Sequence, residues 1–431
     1  MAHIHIPSEI PARFLARNKA ANGVFGAMAL IGAVSFFMQL GRDSQSAWIS
    51  YVSNWLFFTS LAMGAVIFAA ATTIVRAKWN WSLRRVSLSG VAFLPIAAVL
   101  LIPMLFLREN YFPWIEQMSY DYIVQQKEAY LNVPFLMVRN IVGPAILFTL
   151  AFWFAKLALR PDMGRLNEAD LDAGQRSWRS RLMAGWTSQE EEETRSRNVM
   201  ARLGPILVMA YALVLSFVVY DFAMSLESHW FSTLFGGWFF MAALWGGVAY
   251  TALAGVFLRG QDDFAYKAIG IQQRHDVGKL AFGFTVFWTY LFWSQYIVIW
   301  YGKLPWEQKY MVLRAGHGWG TFSLFVIVCC FVVPFAGLIG KAPKKNTKWL
   351  AFMAMTILFG LWCERYWLIA PTLQTSGYDA ANMIFQLGIG VGFLGLFMAA
   401  VHWFFNTFPI VQIWQPPQFE ETHEQELVHT S

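Results

Sequence analysis

Apolar runs of about twenty residues recur from one end of the chain to the other, and each is long enough to cross a hydrocarbon core roughly 30 Å thick as a helix. Runs such as Val86 to Phe106 show no in/out alternation, so the spans read as helices and not as strands of an outer-membrane barrel. The 431 residues are 57% hydrophobic and 17% aromatic against 13% charged, a balance that excludes disorder, collagen and an ordinary soluble enzyme. The expected fold is therefore all-α and polytopic, embedded in a lipid bilayer. Three cysteines (Cys329, Cys330, Cys363) lie inside apolar runs and read as small packing residues, too few for a disulfide framework or an iron–sulfur cluster of their own.

Charge and turn residues divide the chain into ten candidate helices. They run at about Ala21 to Leu40, Val52 to Val75, Val86 to Phe106, Pro134 to Leu157, Leu203 to Ser225, Phe231 to Leu258, Val277 to Tyr301, Trp319 to Ile339, Leu350 to Ile369 and Asn382 to Phe408. Residues 1–20 form an amino-terminal segment, 21–158 hold helices one to four, 159–202 read as a surface linker with the acidic run Glu190 to Glu193, 203–408 hold helices five to ten, and 409–431 form an acidic tail. A longer connection after helix three carries Glu109, Glu116, Asp121 and Glu128 among aromatics. Twenty-three of the 32 Lys and Arg residues fall on the side of the termini and only six on the other, so both termini are expected in the cytoplasm of a bacterial inner membrane. That distribution explains the net charge of +6 as topology, with no nucleic-acid partner. No cleavable signal peptide is evident, because the first apolar run follows about twenty polar residues without a small-residue cleavage site.

Internal duplication is suggested by Tyr111-Phe112-Pro113-Trp114-Ile115-Glu116-Gln117 opposite Lys303-Leu304-Pro305-Trp306-Glu307-Gln308, and by Asn54-Trp55-Leu56-Phe57 opposite His229-Trp230-Phe231-Ser232. The pattern predicts two four-helix bundles, helices two to five and six to nine, with the first and last helices peripheral.

Ionisable groups at membrane depth are the candidate functional residues. Asp221, Glu227 and His229 cluster at the outer end of helix five, where they suit a proton relay or a quinol site, or face water as an interfacial loop. On helix seven, Asp276 and Lys279 are three apart and can pair beside His275, and Tyr290 and Ser294 continue a polar stripe that suggests a proton half-channel; the alternative is a charged helix end facing headgroups. Arg139 and Glu364, the latter beside Arg365, lie toward the outer side and either serve the pathway or snorkel to the interface. His317 and His402 sit at mismatched depths and favour packing over haem ligation. There is no P-loop, dinucleotide fingerprint or zinc motif, so any redox chemistry belongs to other chains.

The stretches Ser53-Asn54-Trp55-Leu56-Phe57, Met224-Ser225-Leu226-Glu227-Ser228-His229-Trp230-Phe231-Ser232, His275-Asp276-Val277-Gly278-Lys279-Leu280, Phe292-Trp293-Ser294-Gln295-Tyr296 and Ile299-Trp300-Tyr301-Gly302 resemble the second NrfD-like membrane subunit of bacterial alternative complex III. The resemblance extends from helix two through helix ten. It implies a cofactor-free subunit of a respiratory quinol:cytochrome c or oxidase oxidoreductase, with quinol, menaquinol included, as the complex's substrate. The implied partners are a larger NrfD-like subunit, an iron–sulfur protein, multihaem and monohaem cytochrome c subunits, small membrane subunits and a terminal oxidase. It further implies that the larger NrfD-like subunit is the better candidate for the quinol site, leaving this chain proton conduction and quinol contact as its alternatives; for conduction, Asp221, Glu227, His229, His275, Asp276 and Lys279 are read as two half-channels, one from each face. A different class, a repeat-built secondary transporter, calls for paired helix breaks near the midplane, and Pro103, Pro144 and Pro334 do not occupy matching positions in the two halves.

Overall fold

The computed structural model describes residues 6, 7, 9–107, 111–316, 318–374, 377 and 380–415, so Arg108, Glu109, His317 and the tail from 416 onward lie outside the described residues. Among the described residues there are helices and no strands, and ten helices are long and apolar enough to cross a membrane. They are α1 (Lys19–Arg42), α2 (Ser44–Ile74), α3 (Arg84–Met104), α4 (Val133–Gly164), α5 (Gln189–Leu226), α6 (Thr233–Arg259), α7 (Ile271–Gly302), α8 (Trp319–Leu338), α9 (Thr347–Leu373) and α10 (Asn382–Thr407). The protein is an all-α, multi-pass membrane protein, as the apolar runs predict.

Polar caps extend these helices beyond their apolar cores. Asp43 ends α1 through its N–H to the Gln39 carbonyl and starts α2 by accepting from the Gln45 and Ser46 amides, so the second helix begins eight residues before Val52. Ser188 caps α5, whose first turn holds Glu190, Glu191 and Glu192 against the positive end of the helix dipole. The expected linker 159–202 is thus mostly helix: α4 runs on to Gly164, α5 starts at Gln189, and Ala173–Leu182 forms a separate helix closed by a capping box on Asp172. Charge in that stretch masks its helical continuity from a reading based on apolar length.

The core is built around α2, which is buried on all sides because α3, α5, α6, α9 and α10 surround it. Within the first half α2 packs on α3 and α5, and within the second α6 packs on α7 and α9; across the halves α2 meets α9 and α6 meets α5. That exchange of equivalent contacts is the pattern two repeats of four helices produce. The Pro-Trp stretches match as well, each starting a short helix with proline in its first turn, Pro113–Gln117 and Pro305–Ala315. The second sequence pairing fails, since Trp55 lies well inside α2 whereas Trp230 precedes α6. At the centre α2 and α6 touch backbone to backbone: a methyl on Gly64 would lie 1.9 Å from the Ala243 carbonyl oxygen, and one on Gly247 2.2 Å from the Gly64 carbonyl carbon.

α1 and α10 lie outside the two bundles, α1 being the least buried of the ten spans. α1 packs mainly on α10 and to a lesser extent on α2, and α10 itself packs against α2 and α3. The amino-terminal strip joins the same edge, with the Leu15 N–H donating to the Phe405 carbonyl at 2.9 Å and the Ile410 N–H to the Arg13 carbonyl at 2.8 Å. Both ends of the described chain therefore share one face, called here the terminal face. Residues 409–415 are buried there, in place of the solvated tail expected from residue 409.

Replacing Gly64 by alanine forces α2 and α6 apart, because the clash is with backbone. The expected cost is about 1–3 kcal/mol, read as a lowered thermal unfolding midpoint in detergent. Gly26→Ala is the control and leaves the midpoint unchanged or higher, since a methyl there meets nothing within 4 Å.

Candidate functional site

On the face opposite the termini, the loop between α5 and α6 meets the connections after α3 and α7. The expected cluster of Asp221, Glu227 and His229 is divided there among three different partners. Asp221, 1% exposed, accepts from Arg139 Nη2 at 2.8 Å, Arg139 Nε at 3.1 Å and Asn140 Nδ2 at 2.7 Å, while the guanidinium lies over the Tyr130 and Phe135 rings. Glu227 accepts from Lys309 Nζ at 2.8 Å, and Lys309 is half exposed. His229 Nε2 stands 2.6 Å from Asp121 Oδ2. Lys127 joins the last two pairs by donating to the Ser228 carbonyl at 2.5 Å.

Electrostatics on this face follow from those partners. The hydrogen bond to His229 holds the Asp121 carboxyl below the usual carboxylate range. Burial lowers the Lys127 ammonium, against the opposing pull of Asp121 and Glu227. Under the loop, Trp230 stacks on Tyr310 at 3.8 Å between ring centroids, and Arg314 lies 3.3 Å over the other ring system of that stack, Tyr310. Burial pushes the Tyr310 hydroxyl up to about 12 and the Arg314 guanidinium down to about 10. Arg314 is nonetheless well bonded, donating to the Tyr310, Leu368 and Thr372 oxygens at 2.9, 2.6 and 3.3 Å.

At the terminal end of α7, Lys279 Nζ lies 2.6 Å from Asp276 Oδ1 as the three-residue spacing predicts, and Gln272 donates to Asp276 Oδ2 at 2.7 Å. His275 is adjacent, its Nδ1 3.9 Å from the same carboxylate. Farther along, Tyr290 is exposed and stacks on Phe287, and Ser294 is half-buried. No hydrogen bond joins either to Asp276 among the described residues. Beyond Asp276 the buried polar residues of α7 include Thr285, bonded to the Ala281 carbonyl, and Gln295, whose two amide atoms have no partner among the described residues.

Between α6, α7, α8 and α9 lies the deepest charged group of the second repeat. Glu364 and Arg365 are fully buried and paired with each other, the guanidinium lying 4.0 Å over the Phe239 ring. Glu364 also has a side-chain hydrogen bond with Trp288 of α7. A π-helical turn at Val328–Val332 brings buried Cys330 close by, held against Gly360. Among the described residues no three His, Cys, Asp or Glu side chains come together as a metal site.

Several charged residues escaped the sequence reading. Arg85, assigned to a polar turn, begins α3 fully buried and pairs with Asp162 at the end of α4. The other Asp162 oxygen accepts from the Ile413 and Trp414 amides, each at 2.9 Å, so one carboxylate joins α3, α4 and the carboxy-terminal strip. Arg160 and Glu192, both counted as linker, form a bidentate buried pair at 2.7 and 2.6 Å. Their residue types alone carried no depth information. Asn54 of the Ser-Asn-Trp stretch also proves to be a junction, accepting from Trp362 Nε1 at 2.7 Å and donating to Gln386 Oε1 at 3.3 Å. The sequence matches no protein-family model and no curated protein.

Two outcomes follow. Asp162→Ala leaves Arg85 buried without its counter-ion and is expected to cost about 3–5 kcal/mol, with residues 410–415 becoming cleavable in limited proteolysis. A carboxyl with a depressed folded pKa stabilises the fold above its unfolded value of about 3.9 and loses that contribution as pH falls through the folded value. Thermal midpoints measured from neutral to acid pH should therefore fall less steeply for Asp121→Asn than for the wild type.

Proposed function

We propose that this chain is a cofactor-free integral membrane subunit of a respiratory quinol:acceptor oxidoreductase of the alternative complex III type, and that its work is proton translocation. The observation that carries this reading is Glu364, a fully buried carboxyl inside a membrane-spanning helix whose ion pair is with the next residue of that same helix. Such a group is costly in hydrocarbon and is retained where protons or ions move. The carboxylates near either surface complete the route. Asp276 and Glu227 each pair with a lysine that is more than half exposed, so both can exchange protons with water, whereas Asp221 is enclosed by Arg139 and Asn140 and holds α4 to α5. The route then runs from His275, Asp276 and Lys279 at the terminal face, through Glu364, to Glu227 opposite. Tyr290 and Ser294 lie outside it.

The distribution of basic residues supports termini in the cytoplasm of a bacterial inner membrane. In this reading iron–sulfur and c-type haem partners carry the electrons, the larger NrfD-like subunit serves quinol, and this chain supplies the proton path. Secondary transport is the weaker reading. Helix irregularities fall at Ser89–Phe93 in α3 and Val328–Val332 in α8, which are not equivalent members of the two repeats.

In the intact complex reconstituted into vesicles, Glu364→Gln is expected to slow proton transfer by about a hundredfold or more while the complex still assembles. Asp276→Asn should weaken charge translocation in the same assay. Unchanged proton-to-electron stoichiometry in both variants, with normal assembly, removes this chain from the proton path.

A further inference from the structure

A cleft of about 890 Å³ opens between two groups of helices, with α1 and α10 on one side, α6 and α9 on the other, and α2 as its floor. Phe57, Phe58 and Leu61 form the floor, and its α10 wall runs from Leu387 to Phe405, about 27 Å at 1.5 Å per residue. One leaflet's hydrocarbon is about 15 Å deep, half of the 30 Å core, so an acyl chain fits along this wall with room for a headgroup. Exposed Phe359, Leu387, Leu394 and Met398 put the side of the cleft in contact with the bilayer.

Polar groups inside the cleft are already engaged. Tyr250 Oη is 2.6 Å from Ser89 Oγ, Trp362 Nε1 donates to Asn54, and His402 Nδ1 is 3.2 Å from Asn406 Nδ2. A ligand needing hydrogen bonds at mid-depth, such as a quinol ring, finds no such free donor there. Polar and charged residues gather instead where the cleft reaches the terminal face, at Arg17, Asn18, Lys19 and Gln261. Arg17 is shared with Asp172 at 2.9 Å, whereas exposed Lys19 has no carboxylate partner among the described residues. The mouth is therefore cationic above an apolar trough.

We propose that this cleft binds one anionic phospholipid, its acyl chain laid along α10 over Phe57, Phe58 and Leu61 and its phosphate at Lys19 and Arg17. The lipid fills the gap that α1 and α10 leave beside α6 and α9. It thereby fastens the amino-terminal strip to the second repeat.

The protein purified in mild detergent should retain anionic phospholipid, seen by mass spectrometry of the extracted lipid. After delipidation it should rebind lipid better from phosphatidylcholine vesicles containing phosphatidylglycerol than from phosphatidylcholine alone. Lys19→Gln is expected to weaken that preference about fivefold, the worth of one charge near a membrane surface, and Lys19→Arg to keep it. Leu394→Trp, on the lipid-facing rim, should lower retention of the lipid without altering the thermal midpoint of the delipidated protein. Equal retention of neutral and anionic lipid, a quinone recovered in place of phospholipid, no retained lipid, or no change in either Lys19→Gln or Leu394→Trp would each overturn the proposal.

Discussion

The backbone contact between α2 and α6 is the constraint on which the other packing depends. Two helices can approach so closely only where neither projects a side chain, and Gly64 and Gly247 supply that gap at the middle of each. With the pair in contact, each helix can also reach a neighbour from the other half, so α2 meets α9 while α6 meets α5. In hydrocarbon this closeness has a particular value, because burying apolar surface against apolar lipid provides little drive and association rests on dispersion and interhelical hydrogen bonds. Asn54, farther along α2, supplies such bonds and joins α2 to α9 and α10.

Charged residues are treated differently at the edges of this core and within it. Arg85 with Asp162, Arg160 with Glu192 and Arg139 with Asp221 are buried pairs that join one helix to another. What is closed in these pairs is the carboxylate, since both oxygens of Asp162, Glu192 and Asp221 accept from other elements, so neither member can be lost cheaply. Glu364 is different, its ion pair being with the next residue in its own helix. A buried carboxyl ion-paired only within its own helix is the feature on which the proposed proton role rests. The apolar cleft under α1 and α10 belongs to the opposite regime, with its internal polar atoms satisfied and its charges confined to the mouth.

Much of the fold was legible in the sequence. Ten spans, the shared side of the termini and the repeat of four helices all come from local patterns: apolar length, basic loops and the two Pro-Trp turns. The errors cluster where polar residues continue a helix. Ser44 to Tyr51, Arg84 and Arg85, and the stretch from Glu190 to Arg202 are helical because Asp43 and Ser188 cap them or because ion pairs neutralise them, and neither cause shows in hydropathy. Among candidate residues, the Asp276–Lys279 contact followed from spacing within one helix. The partners of Asp221, Glu227 and His229 did not, since Arg139, Lys309 and Asp121 stand 82, 82 and 108 positions away.

The sequence by itself determined an all-α, multi-pass membrane protein, with ten helices among the described residues long and apolar enough to cross a bilayer. Only the tertiary structure decided which charges are paired across helices and which within one helix. That distinction depends on the depth of each group and on the element facing it, and both are set by how closely α2 and α6 cross and by how the surrounding helices then close around them.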